Sequence, residues 1–182
     1  MCGVSRWWAV GVWAVLAACG LGVDNSGGEA PPGTSTPFAA VEVAGWDCDP
    51  FLTSINSDTL VQDDLQADAF VTAQCEGRTT ARDWLRARVA SLDVAKGQVL
   101  MITTLGFGGC QAEPRLKDVM LDGDTVRPWF LQANVAYGRA NVSCTEELRV
   151  AVRLWTVDGG RAATRAERTV GVYNPDLPNA PE

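Results

Sequence analysis

The feature that most constrains this chain is an unbroken apolar run over residues 7–18, which follows Arg6 and ends at Cys19. A positive residue, a short apolar core and small residues at its end are typical of a cleaved secretory signal. A membrane-spanning helix needs about 20 apolar residues, so this run is too short to cross a bilayer. The sequence therefore predicts a signal peptide over residues 1–18 and a mature chain that folds outside the cytoplasm.

The end of the run, Leu16-Ala17-Ala18-Cys19, resembles the lipobox of bacterial lipoproteins. The resemblance implies that Cys19 becomes the first mature residue and is lipidated with acyl chains such as palmitate. Two or three acyl chains anchor a protein firmly, at about 0.8 kcal/mol per buried CH₂. Gly20 stands where an inner-membrane lipoprotein usually carries Asp, which implies the outer membrane of a Gram-negative bacterium. The alternative is an ordinary cleaved signal in which Cys19 occurs by chance.

The chain contains no histidine, and its formal net charge is −7. The absence of histidine excludes Ser-His-Asp and Cys-His catalysis and zinc sites that contain histidine. The acidic balance argues against a nucleic-acid partner, because phosphates require a basic surface. We therefore expect no cofactor, no metal and no nucleic-acid partner, and we expect that the protein is not an enzyme.

Four cysteines remain beyond Cys19, namely Cys48, Cys75, Cys110 and Cys144. An even number of cysteines in an exported chain indicates two disulfides, for which three pairings are possible. We favour Cys48–Cys75 with Cys110–Cys144 because this pairing keeps each loop short, although sequence alone leaves the pairing open. A four-thiolate zinc site is disfavoured, since the chain has no Cys-x-x-Cys pair.

Composition divides the mature chain into three parts. Residues 19–37 comprise the lipidated cysteine and a flexible tether rich in Gly, Pro and Ser, which cannot bury enough apolar area to fold. Residues 38–174 form a single disulfide-bonded globular domain, and residues 175–182 form a disordered tail. The predicted organisation is thus one domain held off a membrane by a tether.

Hydrophobic periodicity predicts one helix in this domain, over residues 80–91. Thr80 followed by Asp83 resembles a capping box, and apolar residues follow on one face at helical spacing: Ala81, Trp84, Leu85 and Val89. The preceding segment, 67–74, alternates loosely and is compatible with a strand. The domain therefore has a single predicted amphipathic helix.

Most other segments indicate strands. Val99–Leu105 is a short apolar run typical of a central strand, and residues 148–155 alternate as a half-buried strand does. Asp122-Gly123-Asp124 and Asp158-Gly159-Gly160 are hairpin turn signals. The predicted fold class is α+β, a mostly antiparallel, sandwich-like sheet domain with one amphipathic helix, braced by two disulfides.

The order of these elements resembles the C-terminal protease-stabilising domain of PrcB-type proteins. The resemblance spans residues 67–157 and rests on four features: Trp84 in the helix, the step Leu92-Asp93-Val94, the strand Val99–Leu105 and the turn Gly106-Phe107-Gly108-Gly109. Leu148–Val157 matches a late strand of the sheet. The turn departs from the family pattern, which ends in Tyr where this chain has Cys110. The resemblance implies a non-catalytic domain that binds a partner, for which a protease is one candidate.

Three aromatic residues are candidate partner contacts. Trp155 lies on the polar face of its strand beside Arg153, Trp129 follows Pro128, and Phe107 lies in the Gly-rich turn. Exposed aromatic side chains at such positions suggest binding of a carbohydrate or of a partner protein. Two pairs of carboxylates, Asp47 with Asp49 and Asp122 with Asp124, could suggest Ca²⁺ binding, but their positions favour turns instead.

The sequence as a whole favours a lipid-anchored envelope protein that acts as a non-catalytic protein-interaction module. The expected partners are the membrane, through the lipid on Cys19, and a protein in the envelope. One alternative is a structural envelope lipoprotein without a discrete ligand. A second alternative is a hydrolase that uses a pair of carboxylates.

Overall fold

The described part of the chain folds into two α-helices and two β-sheets. The structure, a computed structural model, describes residues 25–48 and 55–181, so Cys19 and the predicted signal peptide lie outside the described residues. In chain order the elements are β1 (Thr34–Ser35), β2 (Phe38–Val41), β3 (Ser57–Val61), α1 (Asp64–Gln74), α2 (Thr79–Ala90), β4 (Val99–Gly108), β5 (Arg115–Asp122), β6 (Thr125–Ala133), β7 (Leu148–Val157), a 3₁₀ turn (Gly160–Ala162), β8 (Arg165–Ala166) and β9 (Thr169–Tyr173).

The strands form two sheets, here named the central and the outer sheet. The central sheet has the order β2-β7-β4-β3, and all its neighbouring strands are antiparallel. The outer sheet has the order β1-β5-β6-β8, with β9 also paired to β6. In the outer sheet β8 and β9 run parallel to β6, and the other pairs are antiparallel. The predicted α+β class with mostly antiparallel strands is therefore confirmed.

Strand β4 shows why the domain has three layers. Successive side chains of a strand point to opposite faces, so Leu100 and Ile102 pack against the helices, whereas Val99 and Met101 pack against the outer sheet. Because both faces are covered, the strand is a continuous apolar run rather than an alternating one. The helices, the central sheet and the outer sheet are stacked in that order, with one core on each side of the central sheet.

Helix α1 corrects two predictions, the strand over 67–74 and the single helix. The Asp63 carboxylate accepts a hydrogen bond from the Gln66 backbone N–H at 2.8 Å, and Gln66 Oε1 accepts one from the Gln62 N–H at 2.7 Å. An Asp followed three residues later by Gln is a capping-box signature. The sequence therefore carried the start signal of this helix, which the loose alternation of residues 67–74 obscured.

Helix α2 lies within one residue of the predicted helix over 80–91. Thr80 does not cap it, because its hydroxyl donates to the Asp47 carboxylate and the N-cap residue, Arg78, makes no side-chain capping bond. The buried residues on its inner face are Ala81, Leu85 and Val89. Burial of this apolar face, rather than a cap, stabilises the helix against the central sheet.

The two predicted hairpins have different outcomes. Asp122 pairs with Thr125 across the predicted turn, where Gly123 has a φ of 59°. The hairpin predicted at Asp158-Gly159-Gly160 is wrong, since after β7 the chain crosses to the outer sheet, where β8 pairs in parallel with β6. Gly160 permits this crossing because a Cβ atom there would lie 2.5 Å from the Val99 side chain.

The Gly-rich segment 106–109 is mostly strand rather than the expected turn. Strand β4 continues to Gly108, and Gly109, with a φ of 63°, starts the turn. A Cβ atom on Gly108 would collide with the carbonyl oxygen of Glu147. The glycine therefore allows the end of β4 to approach the segment that leads into β7.

Two disulfides brace the domain, in the pairing that loop length favoured. Their Cα–Cα distances are 5.1 Å for Cys48–Cys75 and 5.2 Å for Cys110–Cys144. The first joins the segment before β3 to the end of α1 and belongs to the core on the helix side. The second joins the end of β4 to the segment before β7 and lies nearer the surface.

The described parts of the predicted tether and tail contact the domain. The Asn25 side chain donates hydrogen bonds to the carbonyl oxygens of Asn174, at 2.9 Å, and Pro178, at 3.0 Å. Its own Oδ1 accepts one from the Asn174 backbone N–H at 2.6 Å, and Asn25 is 4% exposed. Strand β1 also pairs with β5. Among the described residues, contacts with the domain therefore begin at Asn25, ahead of the predicted boundary at Phe38.

Candidate partner-binding cleft

A cleft of about 340 Å³ opens between the two sheets where β5 begins. The outer sheet and the segment before it contribute one wall, and β7 of the central sheet contributes the other. The lining residues are Glu113, Pro114, Arg115, Leu116, Arg153 and Trp155. We call this site the cleft.

Trp155 forms the half-buried floor of the cleft. It pairs with Met101 on β4 and Ala40 on β2, so its side chain faces the outer sheet. The indole Nε1–H donates to the Thr103 hydroxyl at 3.2 Å, and the ring meets the Phe38 ring edge-on with centroids 6.0 Å apart. The sequence predicted that Trp155 lies on the polar face of its strand. That face packs against the outer sheet, so the indole is only partly exposed.

Charged side chains surround this apolar floor. Arg153 lies on the same face as Trp155 and forms an ion pair with Glu113 at 2.7 Å. Arg115 donates to the Tyr173 hydroxyl at 3.3 Å. A second, smaller cleft of about 160 Å³ shares Arg115 and Leu116 with the first and adds Lys117 and Leu131 to the lining. The two adjoining clefts together carry three cations and one carboxylate, on a chain whose net charge is −7.

The structure separates the three aromatic residues that the sequence singled out. Trp129 pairs with Asp118 and Thr169 in the outer sheet, and its buried Nε1 has no hydrogen-bond partner within the described chain. Phe107 pairs with Arg149 and lies six residues along β4 from Met101, the residue that pairs with Trp155. At about 3.3 Å per residue this separation is about 20 Å. Only Trp155 lines the cleft.

Three of the four aspartates at the predicted turns have structural partners, and the fourth, Asp49, lies outside the described residues. Asp122 forms an ion pair with Arg127, Asp124 accepts hydrogen bonds from the Thr125 and Thr164 hydroxyls, and Asp47 accepts from Thr80. These hydroxyls and Arg165 hold the pKa of Asp124 below its usual value. In the described ranges, no group of three or more His, Cys, Asp or Glu side chains could hold a metal ion.

Sequence reasoning missed the wall of the cleft that residues 113–116 contribute. Glu113 and Pro114 precede β5, and a bulge between Leu116 and Asp118 shifts the register of the strand just after it starts. A bulge bends its strand and changes the direction of neighbouring side chains. The only local signal was Pro114, which often starts or precedes an irregular strand.

Comparisons of this chain with protein-family models, with curated proteins and with solved structures give no match. Neither helix that the structure describes is long and apolar enough to cross a membrane.

Proposed function

We propose that this protein is an exported lipoprotein of the outer membrane whose domain is a non-catalytic protein-interaction module, and that the partner protein binds in the cleft. The observation that carries the proposal is the half-buried Trp155 indole on the floor of an open cleft with Arg153 and Arg115 at its rim. Tryptophan and arginine are the residues that most often dominate protein–protein binding energy. The cleft offers apolar contact area and directed positive charge together.

The chemistry of the lining residues supports binding over catalysis. None of the described residues that line the cleft is a serine, cysteine or histidine, and the single carboxylate among them, Glu113, is paired with Arg153. Hydrolysis by two carboxylates requires a pair of them about 5–9 Å apart across a substrate site. The residues of the cleft therefore favour the interaction module over the hydrolase. The resemblance to PrcB-type domains adds a protease as the candidate class of partner.

The membrane anchor rests on the sequence around Cys19 and has its own test. Cells that express the protein are labelled with a clickable palmitate analogue, and the purified protein is assayed for label. Cys19→Ala should abolish labelling, whereas Cys2→Ala, which changes a residue within the predicted signal, should retain it. Labelling of the Cys19→Ala variant would contradict the proposal that the protein is lipidated at Cys19. It would not affect the proposal that a partner binds in the cleft.

The binding proposal is tested by cross-linking the protein in its own membranes, purifying it and identifying the captured proteins by mass spectrometry. Arg115→Glu reverses an exposed charge at the rim of the cleft, and Arg161→Glu is the matched control on the 3₁₀ turn. We expect one dominant protein with the wild type and the control, and its loss with Arg115→Glu. Capture that does not depend on Arg115, or no dominant protein, would favour a structural role without a discrete ligand.

A further inference from the structure

An open strand edge lies beside the cleft. Strand β2 pairs with only the last four residues of β7, Leu154–Val157. On its other side, β7 pairs with β4 over the whole length of β7, Leu148–Val157. Within the described chain, the side of β7 opposite β4 has no neighbouring strand from Leu148 to Arg153. Unpaired backbone N–H and C=O groups along such an edge can accept another strand.

The side chains of this open edge alternate between apolar and basic. Leu148, Val150 and Val152 face the helix side, where Leu148 is 56% exposed and Val150 is 37% exposed. Arg149 and Arg153 face the other side, with the small Ala151 between them, and this is also the face of Trp155. Native sheets usually protect an open edge with charged side chains, a proline, a bulge or a short strand. Here the charges lie on one face only, and exposed Leu148 and Val150 leave the other face apolar.

We propose that the Leu148–Arg153 edge binds an extended segment of the partner protein by strand addition, and that this segment alternates acidic and apolar residues. The proposal rests on the proposed function and specifies the kind of partner segment. An added strand antiparallel to β7 would place alternate side chains on each face. Its acidic residues would then lie opposite Arg149 and Arg153, and its apolar residues would cover Leu148 and Val150.

Strand β2 of this chain already shows the geometry. It occupies the same edge of β7 as an antiparallel strand, with Val41 opposite Leu154. The next residue, Glu42, falls opposite Arg153 if that register continues, but the chain leaves the edge there, in a turn closed by a hydrogen bond from the Trp46 N–H to the Val43 carbonyl oxygen. The edge thus accepts an extended segment of this chain, and an acidic residue stands at the position where pairing stops.

The existing ion pairs of the two arginines do not block an incoming strand. Arg149 pairs with Glu147 at 3.0 Å and Arg153 with Glu113 at 2.7 Å, and all four side chains are at least one-third exposed. Exposed ion pairs contribute only about 0–1 kcal/mol, so carboxylates of a partner can replace them at little cost. The arginines can therefore exchange local partners for those of an added strand.

The test uses the full-length protein in detergent and two blocked octapeptides, one alternating Glu and Val and one alternating Lys and Val. Hydrogen–deuterium exchange reports protection of the 148–153 backbone amides. We expect the Glu–Val peptide to slow exchange there by about tenfold and the Lys–Val peptide to have little effect. The double variant Arg149→Glu/Arg153→Glu should reverse this preference, whereas the control Arg161→Glu should retain it.

Three results would overturn the proposal. The first is no protection of residues 148–153 by the Glu–Val peptide, and the second is protection that is unchanged in the double variant. The third is protection of these residues in the absence of peptide, in a protein that sediments as a dimer. The dimer would mean that a second copy of this chain covers the edge. The cross-linking experiment on Arg115 separates this failure from that of the proposed function. If partner capture depends on Arg115 but the edge shows no protection, the cleft binds the partner without strand addition.

Discussion

The Arg168 guanidinium holds the Asp58 carboxylate in a two-point ion pair between the two sheets. Nε donates to one carboxylate oxygen at 2.9 Å and Nη2 to the other at 2.7 Å. The Arg168 side chain is 10% exposed and that of Asp58 is 3% exposed. Asp58 belongs to β3, and Arg168 lies between β8 and β9. The pair therefore fixes the outer sheet to the far edge of the central sheet.

Replacing one partner of this pair should be costly. We expect Arg168→Met to lower the free energy of unfolding by about 3–5 kcal/mol, because it leaves a buried carboxylate without its counter-charge. The exposed Arg161→Met control should change stability by no more than about 0.5 kcal/mol. Urea unfolding followed by tryptophan fluorescence measures both. Equal effects of the two variants would mean that the pair does not join the sheets.

The loss should also depend on pH. Burial raises the pKa of the Asp58 carboxyl, while its hydrogen bond to Arg168 and the charge of Arg168 oppose the rise. A carboxyl with a raised folded-state pKa adds stability below the unfolded pKa and loses it as pH rises through the folded-state value. Arg168→Met removes the opposing effect, so its cost should be larger at about pH 7 than at about pH 4.

Urea unfolding of the wild type and of Arg168→Met at the two pH values tests whether the loss of stability is larger at the higher pH. The double variant Asp58→Asn/Arg168→Met has no carboxyl to titrate at this position, and the extra loss at the higher pH should vanish in it. A cost of Arg168→Met that is the same at both pH values, or larger in acid, would contradict the assigned role of Asp58.

The two disulfides should contribute similar loop-closure free energies but differ in their accessibility to a reductant. They close segments with sequence separations of 27 and 34, for which the loop-entropy relation gives about 3.6 and about 3.8 kcal/mol. Cys48 and Cys75 are each 2% exposed, whereas Cys144 is exposed. We expect dithiothreitol to reduce Cys110–Cys144 first, as seen by alkylation and mass spectrometry of the native protein. Earlier reduction of Cys48–Cys75 would contradict its placement in the core.

The start of α1 gives a smaller stability test. Asp63→Ala removes the side-chain cap on the Gln66 N–H and should destabilise the protein by about 1 kcal/mol. Asp63→Asn keeps an oxygen acceptor in the same place and should retain most of the stability. Thermal unfolding of the two variants measures the difference. Identical losses would show that the charge of Asp63, rather than its cap, supports the helix.

The elements that local pattern determines were predictable from the sequence. The β5–β6 hairpin follows from its turn residues, and the α2 helix follows from its apolar face. The α1 helix was missed because the start signal at Asp63 and Gln66 was not recognised, and residues 67–74 alternate loosely as a strand does. The crossing after β7 was missed because a Gly-rich turn does not show which sheet the next strand joins.

The cleft and the buried ion pair depend on long-range packing. Alternation along β7 indicated one buried face, yet the C-terminal half of this strand is covered on both, with Leu154 against the helices and Trp155 against the outer sheet. Arg168 and Asp58 are 110 residues apart, and neither has a local signal of pairing. Sequence could therefore identify Trp155 as a candidate contact but could not place residues 113–116 opposite it.

The most direct test of partner binding in the cleft is site-specific photo-crosslinking in intact cells. Benzoylphenylalanine is incorporated in place of Lys117, which lines the adjoining second cleft beside Arg115, or in place of Arg161 as the control. The adducts are resolved after irradiation. We expect one discrete protein adduct from position 117, none from position 161, and loss of the adduct when Arg115→Glu is added. No adduct from position 117, or the same adduct from both positions, would contradict partner binding in the cleft.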